Sequence, residues 1–158
     1  VSVDENNNYK YLPSDIYLDE NVLRMCRAHR QMFSELINAL IAEGKKEEAK
    51  AALDYCLDVL PHGNVPHNFS STDFVEQYYE VGEREKGKQL ARIIIDESES
   101  KLRWISSLDK NQVRGASDEI GRNLLSVQQI GITANNHLDY ELYSRCSEIL
   151  VKYYYLYR

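Results

Sequence analysis

Histidines, cysteines and clustered carboxylates are the residues of this sequence that could support catalysis or bind a metal ion. His62 and His67 share the loop PHGNVPHN, but a metal site needs further ligands, and no cysteine or carboxylate stands at a diagnostic spacing. Cys26, Cys56 and Cys146 lie far apart in apolar runs without a CxxC pair, which is typical of buried thiols. The sequence therefore predicts no metal ion and no cofactor.

No enzyme signature accompanies these residues. The sequence has no P-loop, no G-x-G-x-x-G and no G-x-S-x-G nucleophile elbow,. Carboxylates such as Glu47, Glu48 and Glu85 lie at lysine-rich helix starts, where solvation and pairing with lysine one helical turn away explain them. We therefore expect that this chain is not itself an enzyme.

A polar row near the N-terminus is the strongest candidate for binding. Its residues recur at spacings of three and four, on a helix face distinct from the apolar stripe, and they are Arg24, Arg27, Gln31, Ser34 and Asn38. Such a face could hold a peptide carboxylate or an acidic segment. The alternative is an ordinary solvated helix face, because surface arginines are common.

The composition indicates the class of protein to which the chain belongs. The chain has 158 residues, of which 43% are hydrophobic and 28% are charged, with a net charge of −6. This is the composition of a soluble globular domain. The acidic balance argues against nucleic acid or an anionic membrane surface as a partner. No apolar run is long enough for this segment to insert into a membrane.

Apolar periodicity predicts an all-α fold of about six helices. Gly44 and Gly82 end two of them by supplying left-handed residues,. Residues 1–18 are polar and asparagine-rich and are expected to be a linker or docking segment, and 109–115 is expected to be a polar connection. The predicted helices are 19–43, 45–60, 71–81, 84–106, 116–134 and 138–157. Asp19 is the expected N-cap of the first helix, whose apolar stripe is predicted to be Val22, Cys26, Phe33, Leu36, Ile37, Leu40 and Ile41.

The two glycines also mark an internal repeat, because they stand at equivalent positions between paired helices. Around Gly44, the residues Phe33, Ala49, Leu53 and Pro61 resemble the pattern of a tetratricopeptide repeat (TPR), and Phe33 and Leu53 are expected to lie in the core. The resemblance implies antiparallel helical hairpins in a TPR-like right-handed α–α superhelix, forming one domain over 19–158. The first helix of each hairpin would line a groove, and the second repeat would contribute Glu76 and Tyr79 to it.

Longer segments resemble a known family. The runs YLDENVLRMCRAHRQMF and YYEVGEREKGKQLA, and the turn V-P-H-N at 65–68, are similar to the C-terminal soluble region of a bacterial membrane-protein family of unknown function. That family resembles the transmembrane-protein-260-like group of GT-C-type protein O-mannosyltransferases. The resemblance is strongest from Tyr17 to Ala91. The D-E-N-x-x-R-M segment at 19–25 is among its most specific parts.

The resemblance implies a place and a role. It implies a non-catalytic domain on the periplasmic face of the bacterial inner membrane, tethered to a multi-spanning glycosyltransferase-like part that would hold any catalytic acid. The domain would bind acceptor polypeptide, or that membrane part, through the groove residues. Two alternatives remain, namely a structural cap without substrate contact and a stand-alone soluble TPR-like adaptor.

Overall fold

The computed structural model describes residues 2–3, 9–10 and 17–157. Its fold is all-α, as predicted. In this described part there are seven α-helices, two two-residue strands and short 3₁₀ turns at Phe69–Ser71 and Tyr154–Tyr157. The helices are α1 Glu20–Ala42, α2 Lys46–Val59, α3 Thr72–Glu80, α4 Arg84–Ser106, α5 Lys110–Gly115, α6 Ser117–Asn136 and α7 Tyr140–Tyr153.

Contacts divide the chain into two compact units, Val1–His67 and Asn68–Arg158, where the sequence predicts one domain over 19–158. We call them the N-terminal and the C-terminal unit and describe each by itself. Of the predicted linker or docking segment 1–18, residues 1, 4–8 and 11–16 lie outside the described residues. Strands β1 (Ser2–Val3) and β2 (Tyr9–Lys10) pair antiparallel there.

The N-terminal unit is built on the hairpin of α1 and α2. The carboxylate of Asp19 accepts a hydrogen bond from the backbone N–H of Val22 at 3.0 Å, so Asp19 is the predicted N-cap. At the other end Gly44 has φ +76°. The N–H groups of Gly44 and Lys45 bond back to Ile41 and Leu40, which is the Schellman arrangement that needs a left-handed residue.

The buried face of α1 differs from the predicted one. Arg30, Ser34 and Ile37 are buried, whereas Leu36, which belongs to the predicted apolar stripe, is 50% exposed. Of the two residues predicted for the core, Leu53 is fully buried, and Phe33 is only half-buried. The core side of this helix therefore includes polar residues that periodicity alone assigns to the surface.

The C-terminal unit contains two helical hairpins, α3 with α4 and α6 with α7, and α4 also packs on α6. Phe74, Val75 and Tyr78 of α3 are buried against this core together with Ala91 and Ile94 of α4. These five residues stand at the repeat positions of the second unit when the sequence is aligned on Gly82. The structure thus has the predicted hairpin packing.

All three hairpin turns have the same backbone geometry. Gly82 has φ +87°, and Leu138, at the equivalent point between α6 and α7, has φ +56°. The N–H groups of Leu138 and Asp139 bond to Asn135 and Ala134, repeating the pattern seen at Gly44. A leucine in this region is uncommon, because its Cβ crowds the backbone. The turn between α6 and α7 therefore has the same geometry as the other two, although leucine stands where they have glycine.

The seventh helix lies where the sequence analysis expected a polar connection. Helix α5 occupies Lys110–Gly115, so the prediction of about six helices missed one. The carboxylate of Asp109 accepts from the N–H groups of Asn111 and Gln112, and the Gln112 side chain accepts from the N–H of Asp109. This is a capping box, and its D-x-x-Q signature was present in the sequence.

Candidate functional site

The predicted polar row on α1 separates into two lines. Arg24, Gln31 and Asn38 are exposed and follow one another at intervals of seven residues, so they share one line of the helix. Ser34 is only 2% exposed, and its placement on a binding face was therefore wrong. Arg27 precedes Ser34 by seven residues, so the two share a second line of the helix, and Arg27 is half-buried. We call Arg24, Gln31 and Asn38 the polar row.

Local contacts hold the two arginines of this face. The guanidinium of Arg24 donates to Oδ1 of Asn21 at 3.1 Å. Arg27 lies 3.6 Å from the carboxylate of Glu20, whose side chain is largely exposed. Exposed contacts of this kind contribute little to stability, so Arg24 can exchange its partner for an incoming carboxylate at small cost.

The two predicted groove residues of α3 lie in the C-terminal unit and have other roles. Tyr79 is buried, and its hydroxyl donates to Oδ2 of Asp139 at 2.7 Å. Glu76 is half-buried, and Oε1 of its carboxylate lies 2.8 Å from Nε2 of His137. The prediction that Tyr79 lines an open groove was therefore wrong, because its ring and hydroxyl are used inside the unit.

Arg30 is the polar centre of the N-terminal unit. Its side chain is 2% exposed, and its guanidinium donates to the carbonyl oxygens of Leu60 at 2.5 Å, Val65 at 2.7 Å and Pro66 at 3.5 Å. Burial lowers the pKa of Arg30 to about 10, so it stays cationic at neutral pH. One side chain of α1 thus fixes both ends of the loop after α2. We call this arrangement the arginine clamp.

The histidine pair lies in the loop that the clamp holds. The rings of His62 and His67 stack with centroids 4.9 Å apart, and the backbone N–H of His67 donates to Nδ1 of His62 at 3.2 Å. Burial, helped by the charges of Arg30 and His62, lowers the pKa of His67 to about 3. Among the described residues no group of three or more His, Cys, Asp or Glu is placed to hold a metal ion.

Acidification should therefore weaken the protein through His67. The unfolded chain binds a proton at His67 below about pH 6.5, whereas the folded chain does so only near pH 3. Stability is thus fully present above about pH 6.5 and is lost as the pH falls toward 3, by about 2 kcal/mol at pH 5. Urea unfolding of the protein at about pH 7.5 and pH 5 measures the loss.

The variant His67→Gln is the matched control for this pH effect. It keeps a neutral polar side chain of similar length but cannot titrate, so the difference in unfolding free energy between the two pH values should shrink by about 2 kcal/mol. An equal pH dependence in wild type and variant would contradict the assignment.

Asp139 is the polar centre of the C-terminal unit. It is 3% exposed and accepts hydrogen bonds from Tyr79 and from the N–H of Leu142 in the first turn of α7. Lys88 and Arg84 lie 3.4 and 3.6 Å from its Oδ2. Burial favours the neutral acid, but these hydrogen bonds and Lys88 outweigh it and hold the pKa of Asp139 below its usual value. Asp139 is therefore a charged anchor joining α3, α4 and α7.

Aromatic and cationic groups around Asp139 extend this network. The Tyr79 ring stacks on His137 at 5.0 Å between centroids, and the Arg84 guanidinium lies over that ring at 5.4 Å. Arg84 also donates to the carbonyl of His137 at 2.9 Å. Burial, followed by the bond to Asp139, raises the pKa of Tyr79, so its hydroxyl keeps its proton. The buried members, Tyr79 and Asp139, are thus hydrogen-bonded to each other, whereas the Arg84 and His137 side chains remain partly exposed.

A small cavity beside Asp139 is the nearest concave feature. It has about 60 Å³ and is lined by Lys88, Arg92, Arg145, Leu142 and two carboxylates. Arg92 lies 3.9 Å from Glu141, and Arg145 pairs with Asp96 and Glu99. The cations are thus paired with carboxylates of this unit, and the cavity resembles a salt-bridge cluster more than a ligand site.

Two of the three thiols, those of Cys56 and Cys146, are buried and protonated. Burial raises the pKa of Cys56 to about 11 and that of Cys146 to about 12, so both stay protonated at neutral pH, and a thiol is a far weaker nucleophile than a thiolate. Cys26 is half-buried in α1. All three are free cysteines, with no disulfide between them.

Comparisons with protein-family models, with curated proteins and with solved structures find no match. Among the helices of residues 17–157, none is long and apolar enough to cross a membrane. What the chain does is therefore inferred from its own surfaces. Sequence reasoning missed the arginine clamp and the Asp139 network, although the position of Asp139 just before a helix is an N-cap pattern that could have pointed to it.

Proposed function

We propose that this chain is a non-catalytic interaction domain that binds a protein partner through the polar row on α1. The observation that carries the proposal is the exposure of Arg24, Gln31 and Asn38 on one line of a long helix. Arginine and amide side chains together can bind a peptide backbone and one carboxylate. The predicted TPR-like stacking of hairpins remains part of this proposal.

The family resemblance supplies the setting of the proposal. In it, the chain is the periplasmic C-terminal region of a multi-spanning protein O-mannosyltransferase-like membrane protein, and the partner is acceptor polypeptide or the membrane part of the same protein. The buried, protonated thiols of Cys56 and Cys146 and the paired charges around Asp139 support a role without catalysis. The residues that resemble the family most specifically include Asp19, which caps α1, and Arg24, which begins the polar row.

Site-specific photo-crosslinking tests the proposal in the parent protein in its native membrane. A benzophenone amino acid at Gln31 or Asn38 should crosslink to acceptor polypeptide or to the membrane part, because both side chains lie on the binding face. The same probe at Asp58, an exposed residue of α2, is the matched control and should give no specific product. Equal labelling from all three positions would contradict the proposal.

Crosslinking, deletion of the domain and cell fractionation together separate the two alternatives. As a structural cap, the domain would crosslink only to the membrane part, and its deletion would lower the abundance of the parent while the activity of each remaining molecule stayed unchanged. As a stand-alone adaptor, the chain would be found in fractionated cells as a species near 18.4 kDa outside the membrane fraction. That second result would remove the membrane setting but leave the polar row to be tested.

A further inference from the structure

A groove of about 330 Å³ lies between α6 and α7 in the C-terminal unit. Gly131 and Cys146 are its buried lining residues, and a Cβ at Gly131 would lie only 3.2 Å from that of Cys146. The two helices therefore come close there and leave a concave surface beside this contact. The sides of the groove are formed by Gln128, Ile132, Asn135, Tyr143, Ser147 and Leu150. We call this surface the α6–α7 groove.

The α6–α7 groove is uncharged and partly apolar. None of its described lining residues carries a charge, whereas 28% of the residues of the chain do. Ile132 and Tyr143 are 46% and 44% exposed, and Leu150 is half-buried. Burying a charged side chain against such a surface is costly, so the groove suits an uncharged, apolar occupant.

Helix α6 itself fills the equivalent groove of the preceding hairpin, because it packs on both α3 and α4. Aligning the left-handed turn residue Leu138 with Gly82 pairs every residue of α6 and α7 with a position in that hairpin. The six residues that form the sides of the α6–α7 groove are paired with Thr72, Glu76, Tyr79, Gly87, Ala91 and Ile94. All of these except the half-buried Glu76 are buried, whereas none of the six in the α6–α7 groove is.

This difference indicates what kind of group covers such a groove. In a stack of helical hairpins, each hairpin buries its apolar face against its neighbours. The buried residues of α6 include no charged side chain, so the helix that covers α3 and α4 presents an uncharged stripe to the interior. The α6–α7 groove continues the same stack and therefore suits a helix of the same kind.

The described part of the C-terminal unit leaves the α6–α7 groove open. The 3₁₀ turn Tyr154–Tyr157 packs on α6, but a ring carbon of Tyr157 lies 3.4 Å from the place of a Cβ at Gly121. Gly121 precedes Gln128 by about two helical turns. The turn therefore covers the start of α6 and not the groove.

We propose that the α6–α7 groove binds an amphipathic α-helix of a partner protein, in the place that α6 takes on α3 and α4. The bound helix inserts an apolar, uncharged stripe between Ile132, Tyr143 and Leu150 and so continues the stack of hairpins. This inference goes beyond the proposed function, because the polar row lies on α1 in the N-terminal unit. Probes at Gln31 and Asn38 test that row, so either proposal can fail without the other.

Photo-crosslinking in the cells that produce this protein tests for the bound helix. A benzophenone amino acid is placed in turn at Gln128, Ile132 and Asn135, which share one side of α6. All three probes should label the same short segment of one partner, and mass spectrometry should assign the labelled residues to positions three, four or seven apart, as one face of a helix requires. The same probe at Glu148, exposed on another side of α7, is the control and should give no such product.

A charge in the groove tests whether the apolar surface is what binds. Tyr143→Glu should lower the yield of the product from the probe at Asn135 at least roughly tenfold when the partner is limiting. Glu148→Lys changes a charge outside the groove and should leave that yield unchanged, and circular dichroism checks that both variants keep their helices. No product above the level of the Glu148 probe, labelled residues without helical spacing, or labelling of a second copy of this chain alone would overturn the proposal.

Discussion

Replacing Arg30 with alanine is expected to lower the free energy of unfolding of the N-terminal unit by about 3–5 kcal/mol. The change removes a buried side chain and leaves the carbonyl oxygens of Leu60, Val65 and Pro66 without their donor. The loop after α2 then loses the contacts that fix it to α1. Amide hydrogen exchange of α1 and α2 measures the loss within this unit. The single tryptophan, Trp104, lies in the other unit and does not report on it.

Two variants separate the clamp from simple loss of volume. Arg30→Met keeps most of the apolar stem and removes a desolvated charge, so it should cost less than alanine but more than a surface change. Arg24→Ala, at an exposed arginine of the same helix, should change the unfolding free energy by less than about 0.5 kcal/mol. If Arg30→Ala were as mild as Arg24→Ala, the clamp would have no energetic role.

Replacing Asp139 with alanine should lower the free energy of unfolding of the C-terminal unit by a similar amount, about 3–5 kcal/mol. Removing this carboxylate leaves the Tyr79 hydroxyl without its acceptor and the poorly solvated Lys88 without its partner, and it removes the N-cap of α7. Urea unfolding followed by circular dichroism measures the change. The effect should be largest above the usual pKa of aspartate and should decline as the pH falls through the lower pKa of Asp139 in the folded chain, where wild type loses the charge as well,.

Two matched changes show which part of Asp139 matters. Asp139→Asn keeps an oxygen for the N–H of Leu142 but loses the charge, so it should cost less than alanine. Asp109→Ala removes an exposed N-capping aspartate, at α5, and should cost only about 1 kcal/mol. A loss at Asp139 no larger than the loss at Asp109 would show that capping accounts for the effect and that the network adds nothing.

Helix positions were predictable because local signals determine them. The N-cap Asp19 and the left-handed Gly44 and Gly82 set helix ends within a few residues of where they fall. The core of the second hairpin followed from repeat alignment, because the repeat carries its own packing pattern. Helix α5 was missed since six residues are too few for periodicity to register, and only its capping box marks it.

The faces of α1 were harder to predict because the helix has exposed as well as buried apolar residues. Periodicity found a single stripe that mixed the two, placing exposed Leu36 beside buried Ile37. A buried arginine and a buried serine then completed the core side. Sequence patterns count such residues as surface, since the carbonyl groups that satisfy Arg30 lie 30–36 residues away along the chain. The role of Asp139 could not be predicted for the same reason, because its partner Tyr79 is 60 residues away along the chain.

The close packing at Gly87 has a consequence for how this chain can change over time. A Cβ at this buried position would lie 3.0 Å from two ring carbons of Tyr79, and Tyr79 in turn holds Asp139. The Tyr79 ring on α3 therefore fills the space that a side chain at position 87 of α4 would need. Alanine at 87, the residue that the first repeat has at the equivalent position, requires the Tyr79 ring to move by a few tenths of an ångström, and that movement strains the hydrogen bond from Tyr79 to Asp139. In related sequences, positions 79, 87 and 139 should vary together.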